Sequence, residues 1–270
     1  MSYSWIWQEV YNSSISGEAT SDMIKRILKR IVKNLIGTQI YHNPYRGMSI
    51  FNDVAEVLPS YRINVVFDVG ANVGQSAKRY IARFPHSSVF CFEPVAKTYR
   101  QLERNMRGNK QVRCFRLALG SSRGKGSMLS DGTSSMNHLL NETTVSANNR
   151  KIKTESVDIL TLDDFCQTND VNYISYLKVD TEGGDLEVLK GAENMLVKQS
   201  IDLVEVEAGM NPNNKYHVPF ESLKNYLEKH DYFLFGIYEQ VEEWPTREPH
   251  LRRTNPVFIS NNMILNYKSK

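Results

Sequence analysis

VVFDVGANVG, residues 65–74, is the stretch whose reading decides the fold. Val65, Val66 and Phe67 form a β-branched and aromatic run suited to a strand buried on both faces of a parallel sheet. Asp68 interrupts the run, Gly70 and Gly74 bracket a short turn, and Gln75 to Arg83 carries a helical pattern that Pro85 ends. Strand, glycine turn and helix make a ligand cradle, because glycines let backbone approach a small molecule and the first helical N–H groups carry the positive end of the dipole. The spacing Gly70-Ala71-Asn72-Val73-Gly74 is not the G-x-G-x-x-G of dinucleotide-binding folds.

Outward from this stretch the unit repeats. Val89 to Phe92 reads as the next strand, Glu93 stands at its C-terminal end, and Pro94 leads into a helix with Tyr99, Leu102 and Met106 on its buried side and Gly108 at its end. Glu93 falls twenty-five positions after Asp68. In doubly wound sheets an acidic residue there accepts hydrogen bonds from both hydroxyls of an adenosine ribose. Val112 to Leu119 is read as the third strand, and Val157 to Cys166 as a short strand running into a helix capped near Thr161. Tyr176 to Val179 forms a fourth strand that delivers Asp180 to the carboxyl edge, where open α/β sheets bind ligands. Glu182 follows, and Gly183 and Gly184 turn the chain into a helix that Gly191 interrupts. Ile201 to Glu207 is the fifth strand, with Glu205 and Glu207 on one face by period two and Glu207 nearer the active edge. A helix over Phe220–Lys229, a strand over Tyr232–Ile237 and a final strand near Val257–Ile259 close the pattern. Between those strands, Tyr238 to Asn255, with Trp244, His250, Arg252 and Arg253, reads as an insertion suited to a lid that stacks on a sugar ring and pairs with a phosphate.

FDVGANVG, then CFEP, then LKVDTEGGDLEVLKGA from Leu177 to Ala192 resemble, in this order, the FkbM-type family of class I S-adenosylmethionine-dependent methyltransferases, over roughly Val65 to Ser260. Many class I methyltransferases share the first two motifs; the third, D-x-E-G-x-x-x-E-x-L-K-G, is particular to this family. The resemblance implies a doubly wound, mostly parallel seven-stranded sheet with an antiparallel last strand, S-adenosylmethionine as cofactor, and O-methylation of a saccharide, a lipid-linked glycan or a related natural product. It implies a cofactor loop of Asp68, Gly70, Ala71, Asn72 and Gly74, the ribose on Glu93, the adenine beside Ala118, Leu119 and Gly120, and Asp180 near the reacting end.

A methyl group on a sulfonium is already activated, so the protein mainly holds the acceptor oxygen in line and excludes water. An alcohol must still lose its proton, which a general base or a divalent cation assists. Asp180 is the first candidate for base or acceptor-orienting group and Glu207 the second, with His217 and Glu182 beside them. Clustered carboxylates could hold Mg²⁺ or Ca²⁺, but no tight ligand motif is visible and no metal site is expected. Two rival readings stay open. One is an NAD-linked oxidoreductase, disfavoured by the missing third glycine; the other is a cofactor-binding adaptor without turnover.

The chain has 270 residues and a formal net charge of +3, too small to argue for nucleic acid. Its three cysteines include no C-x-x-C pair and suggest neither a disulfide framework nor a zinc site, which favours the cytoplasm. No apolar run is long enough to span a bilayer, and the first thirty residues lack the apolar core of a signal peptide. The expected division is an N-terminal extension over 1–60 and a methyltransferase domain over 61–270. Trp5 and Trp7 stand in the first, polar part of the extension. About residues 21–36, Ile24, Ile27, Leu28, Ile31, Val32, Leu35 and Ile36 form an apolar stripe opposite Lys25, Arg26, Lys29, Arg30 and Lys33. Such a helix docks on the domain or a second subunit, or lies peripherally on anionic lipid. Residues 38–60 read as a connector with a short helix near Phe51–Leu58, placed to cover the cofactor site. Ser121 to Arg150 is polar and turn-prone, suited to loops or a β-excursion with Ser134 and Ser135 near cofactor or substrate.

Overall fold

The structure, a computed structural model, describes residues 47–129 and 154–268. Helix α1 (Ile50–Val57) precedes strand β1 (Val65–Val69), and the glycine turn leads into α2 (Gln75–Arg83). β2 (Ser88–Phe92) and α3 (Ala96–Met106) repeat the unit before β3 (Val112–Phe115), β4 (Ala118–Leu119), β5 (Gly124–Leu129) and β6 (Thr154–Leu160). Next come α4 (Leu162–Thr168), β7 (Ile174–Val179), α5 (Asp185–Lys190), α6 (Glu193–Val197), β8 (Ile201–Val206), β9 (Ala208–Gly209) and β10 (Val218–Pro219). α7 (Phe220–Glu228), β11 (Tyr232–Glu243), β12 (Glu248–Ser260) and α8 (Asn261–Lys268) complete the order.

The main sheet runs β10-β9-β12-β8-β7-β1-β2-β3, with β11 paired to β12. β1 is parallel to β2 and β7, β7 to β8, and β12 runs antiparallel to β8, the doubly wound arrangement expected. Along β1 consecutive side chains enter opposite cores: Val66 packs with Tyr80, Tyr176, Leu203 and Val257, while Phe67 packs with Phe92, Phe165, Leu177 and Val204. That alternation is why the run is apolar on both faces. Thr161 caps α4 by accepting a hydrogen bond from the Asp164 N–H at 2.9 Å.

Three expectations are corrected. Among the described residues the main sheet has nine strands, because the two-residue β9 and β10 add an edge to the seven anticipated. The strand expected over Val112–Leu119 divides: β3 stays in the main sheet, while β4 pairs with β6 in a separate three-stranded sheet that includes β5. There Ala118 buries itself against Val95, Met128 and Val157, an apolar environment the main-sheet edge does not offer. Finally, the stretch expected as a lid is a ribbon. β11 and β12 pair from Tyr232↔Ser260 to Glu243↔Glu248, and the groups meant for a ligand are occupied within the chain. Arg252 binds Glu243 at 3.0 Å, Arg253 binds Glu207 at 2.6 Å, His250 meets Glu248 at 3.1 Å, and the Tyr238 hydroxyl donates to Asp53 at 2.9 Å.

The expected connector helix forms as α1 and packs its Phe51 edge-on against Tyr80, Phe84 and Tyr176. No helix among the described residues is long and apolar enough to cross a membrane. Trp5, Trp7, the amphipathic segment 21–36, Ser134 and Ser135 lie outside the described residues.

Candidate active site

Backbone builds one end of the site. Gly70 (φ +84°), Asn72 (φ +51°) and Gly74 (φ +91°) take left-handed steps. The N–H groups of Gly70 and Ala71 both donate to the Phe92 carbonyl, at 3.0 and 2.9 Å, closing the turn onto the end of β2. A Cβ on Gly70 would lie 1.9 Å from the Asp180 carbonyl oxygen, so the turn runs directly against the end of β7, where the Asp180 N–H donates to Val69 O at 2.9 Å. Glu93 is buried, with Oε1 accepting from the Val95 N–H at 2.9 Å and the Asn72 backbone bonding to the same carboxylate. Burial pushes its carboxyl up to about 7, with the two backbone bonds opposing.

A cavity of about 920 Å³ opens along this edge, lined among others by Gly70, Ala71, Asn72, Glu93, Ala118 and Asp180. Its volume falls in the range of roughly 300–1,000 Å³ that holds small-molecule ligands. Gly74 and Asp68 stand behind that wall. Gly74 is the N-cap of α2 and lies against Leu102 and Met106. Asp68 is wholly buried within β1, in register with Lys178, and neither of its oxygens makes a hydrogen bond among the described residues. Burial raises it to about 6, against the pull of Lys178.

Side chains build the other end. Lys178 Nζ lies 2.6 Å from Asp180 Oδ2, with the lysine side chain 5% and the aspartate 32% exposed. Burial works against the charge on each, and the pairing outweighs it: Asp180, Asp68 and Glu205 hold the lysine well above its usual range, while Lys178 holds Asp180 below its own. Glu182 follows in a left-handed conformation (φ +53°), its carboxyl raised to about 7 by burial and by Glu207 and Asp180. Glu207 ends β8, with Oε1 at 2.6 Å from Arg253 and Oε2 at 2.9 Å from His217 Nε2. One ligand atom each from Glu182, Glu207 and His217 falls within 4.8 Å of the others, so three of the four catalytic candidates meet. Asp180 stands beside them, close enough to raise Glu182.

Sequence reasoning missed Lys178, Asp185 and the true partner of Arg253. Asp185 is buried and ties two strand ends together: it accepts from the Thr181 N–H and hydroxyl at 3.2 and 2.8 Å and from the Glu207 N–H at 3.1 Å. Burial and Asp180 push it up to about 7. Lys178 carried a usable signal, since it lies two residues before Asp180 in a strand and therefore shares its face. Beneath them Glu205 accepts from the Tyr176 hydroxyl and from Asn255 Nδ2, the latter at 2.8 Å.

The sequence is similar to those of known proteins. Residues 68–234 match the profile described as the methyltransferase FkbM domain. The hexuronic acid methyltransferase AglP of Haloferax volcanii is 33% identical over 156 residues, covering 56% of this chain and 59% of that protein. The 2-O-methyltransferase NoeI of Sinorhizobium fredii is 25% identical over 147 residues, covering 50% and 59%. The chain thus spans about three-fifths of the length of these relatives. Among solved structures, M. capricolum TrmK in complex with S-adenosyl-homocysteine is 11% identical, with a TM-score of 0.39 over 80% of this chain and 70% of that one. With a family match over more than half its length, the chain belongs to the FkbM-type family of S-adenosylmethionine-dependent methyltransferases that its three motifs resemble.

Proposed function

We propose that the protein transfers a methyl group from S-adenosylmethionine to a hydroxyl of a saccharide, glycan or related natural product. One observation carries the reading: Asp180, kept ionised by the buried Lys178, lines the same cavity as the glycine turn and Glu93. Gly70, Ala71, Asn72, Glu93 and Ala118 are the residues that would hold the cofactor, which supplies a methyl group already activated on sulfur. Asp180 has a partly exposed oxygen face with which to accept a hydrogen bond from an acceptor hydroxyl, hold that oxygen in line and take its proton. Lys178, almost wholly buried at the cavity wall, acts by fixing the charge and direction of Asp180.

The relatives' names support a sugar acceptor: one is a hexuronic acid methyltransferase and the other a 2-O-methyltransferase. The free thiols of Cys91, Cys114 and Cys166 go with action in a reducing compartment such as the cytoplasm. The test is transfer of labelled methyl to oligosaccharides with and without uronic acid, using the wild type and Asp180→Asn. Label should enter a hydroxyl-bearing acceptor, with a loss of roughly 10²- to 10⁴-fold in the variant. Full cofactor binding with no transfer to any acceptor would favour the adaptor reading.

A further inference from the structure

Glu182, Glu207 and His217 reach one point from three segments: the loop after β7, the end of β8 and the loop before β10. The side chains of Glu207 and His217 are only 5% and 6% exposed. A carboxylate and an imidazole at that depth ordinarily close on each other through a hydrogen bond. Here Nε2 and Oε2 are 2.9 Å apart without the alignment of one, and Glu207 Oε2 makes no hydrogen bond among the described residues. Arg253 does not relieve it, since it engages the other oxygen. Two unaligned ligand atoms at that spacing are what a shared ion produces. Neighbouring ligands in an octahedral shell of about 2.1 Å radius stand about 3.0 Å apart.

The far side of the imidazole fits as well. His217 Nδ1 lies 3.0 Å from Asn214 Oδ1 and 2.9 Å from Nδ2 of the same amide. That amide is held by the Tyr216 N–H, donating to Oδ1 at 3.0 Å, and by the Arg252 carbonyl, accepting from Nδ2 at 2.9 Å. The distances allow either role for Nδ1; in the tautomer where it donates to Oδ1, Nε2 turns a lone pair to Glu207 Oε2, the arrangement of a metal-binding imidazole with its outer hydrogen bond. Two lone pairs 2.9 Å apart repel unless a cation sits between them.

The geometry points to a divalent cation site formed by Glu182, Glu207 and His217. Two carboxylates and one imidazole suit an ion of the Mn²⁺ class better than Ca²⁺, which prefers oxygen ligands throughout. Resting on the methyltransferase reading, the site also specifies the acceptor chemistry. Of the three, Glu182 lines the cavity beside Asp180 and would present such an ion to an acceptor with two neighbouring hydroxyls, where it would lower the pKa of the one to be methylated.

The test is titration of the full chain, after treatment with chelator, with Mn²⁺ alone, following the free ion by electron paramagnetic resonance. Calorimetry with S-adenosylmethionine is run on the same samples. The expected result is one Mn²⁺ per chain on the wild type, bound at least tenfold more weakly by His217→Ala and by Glu182→Gln, with cofactor binding retained. Glu182→Gln is isosteric and lies in a partly exposed loop, so it keeps the test valid if the histidine variant fails to fold. No stoichiometric Mn²⁺ on the wild type, or equal binding by both variants, overturns the site. Mn²⁺ binding without cofactor binding would leave the ion site standing and sink the methyltransferase reading instead.

Discussion

At β1 and β2 the cavity wall is the backbone of the glycine turn with the Glu93 carboxylate beside it; at β7, β8 and β12 the site is charged side chain. The first end depends on what is missing, since the turn can lie against Asp180 only because Gly70 has no Cβ. The second depends on what is balanced. Lys178 stands among Asp68, Asp180 and Glu205, and Arg253 answers Glu207, all on one face of the sheet. Volume therefore governs the glycine turn, at the proposed cofactor end, and charge the proposed acceptor end, and the two should fail differently when altered.

The largest effect should come from the charged end. Lys178→Met leaves Asp68, Asp180 and Glu205 buried without their cation, at a cost of about 3–5 kcal/mol in denaturant unfolding. A loss below about 1 kcal/mol would show that the pairing with Lys178 adds little to stability. Gly70→Ala comes next. It should cost about 2–4 kcal/mol and abolish cofactor binding in calorimetry, from both the positive φ and the clash with Asp180 O. Retained binding would mean that the turn yields, and the contrast between the ends would collapse. Glu93→Gln should weaken the cofactor about tenfold, or 1.4 kcal/mol. In the wild type that affinity should rise between about pH 6 and pH 8, because ribose hydroxyls donate to the ionised carboxylate and Glu93 stands at about 7 in the free protein. Binding near neutrality should therefore release protons, and the variant should show neither slope nor release. Smallest of all, Trp244→Ala at the exposed end of the ribbon should change stability by less than about 0.5 kcal/mol and leave turnover intact. A fall in turnover would restore a lid role for the ribbon.

The same contrast explains what could be read from sequence. Gly70 to Gly74 and Glu93 stand out because each sits at a strand's end within one contiguous βα unit, where local pattern and the proposed site coincide. The third motif delivered Asp180 and Glu182 for the same reason. Lys178 went unread although its spacing from Asp180 was legible, because its other carboxylates, Asp68 across β1 and Glu205 across β8, are brought to it by the sheet. Arg253 was assigned to a lid because its partner, Glu207, is brought near only by the pairing of β12 with β9, a register no local pattern encodes. The meeting of His217 with Glu182 and Glu207 is of this kind too: three loop and strand ends assembled by the sheet.

The position of β12 has a consequence for how the protein is made. The last strand of the chain lies inside the sheet, between β8 and β11, and supplies Asn255 to Glu205 and Arg253 to Glu207. During synthesis the halves around β1, β2 and β7 can pair as they emerge, since their partners precede them. β8 keeps an open edge until residues 248–260 arrive, and pairing over such sequence distances is slow. A nascent chain halted before β12 would thus already hold the glycine turn while leaving Glu205 and Glu207 without these partners, exposing a strand edge of the kind that chaperones must shield.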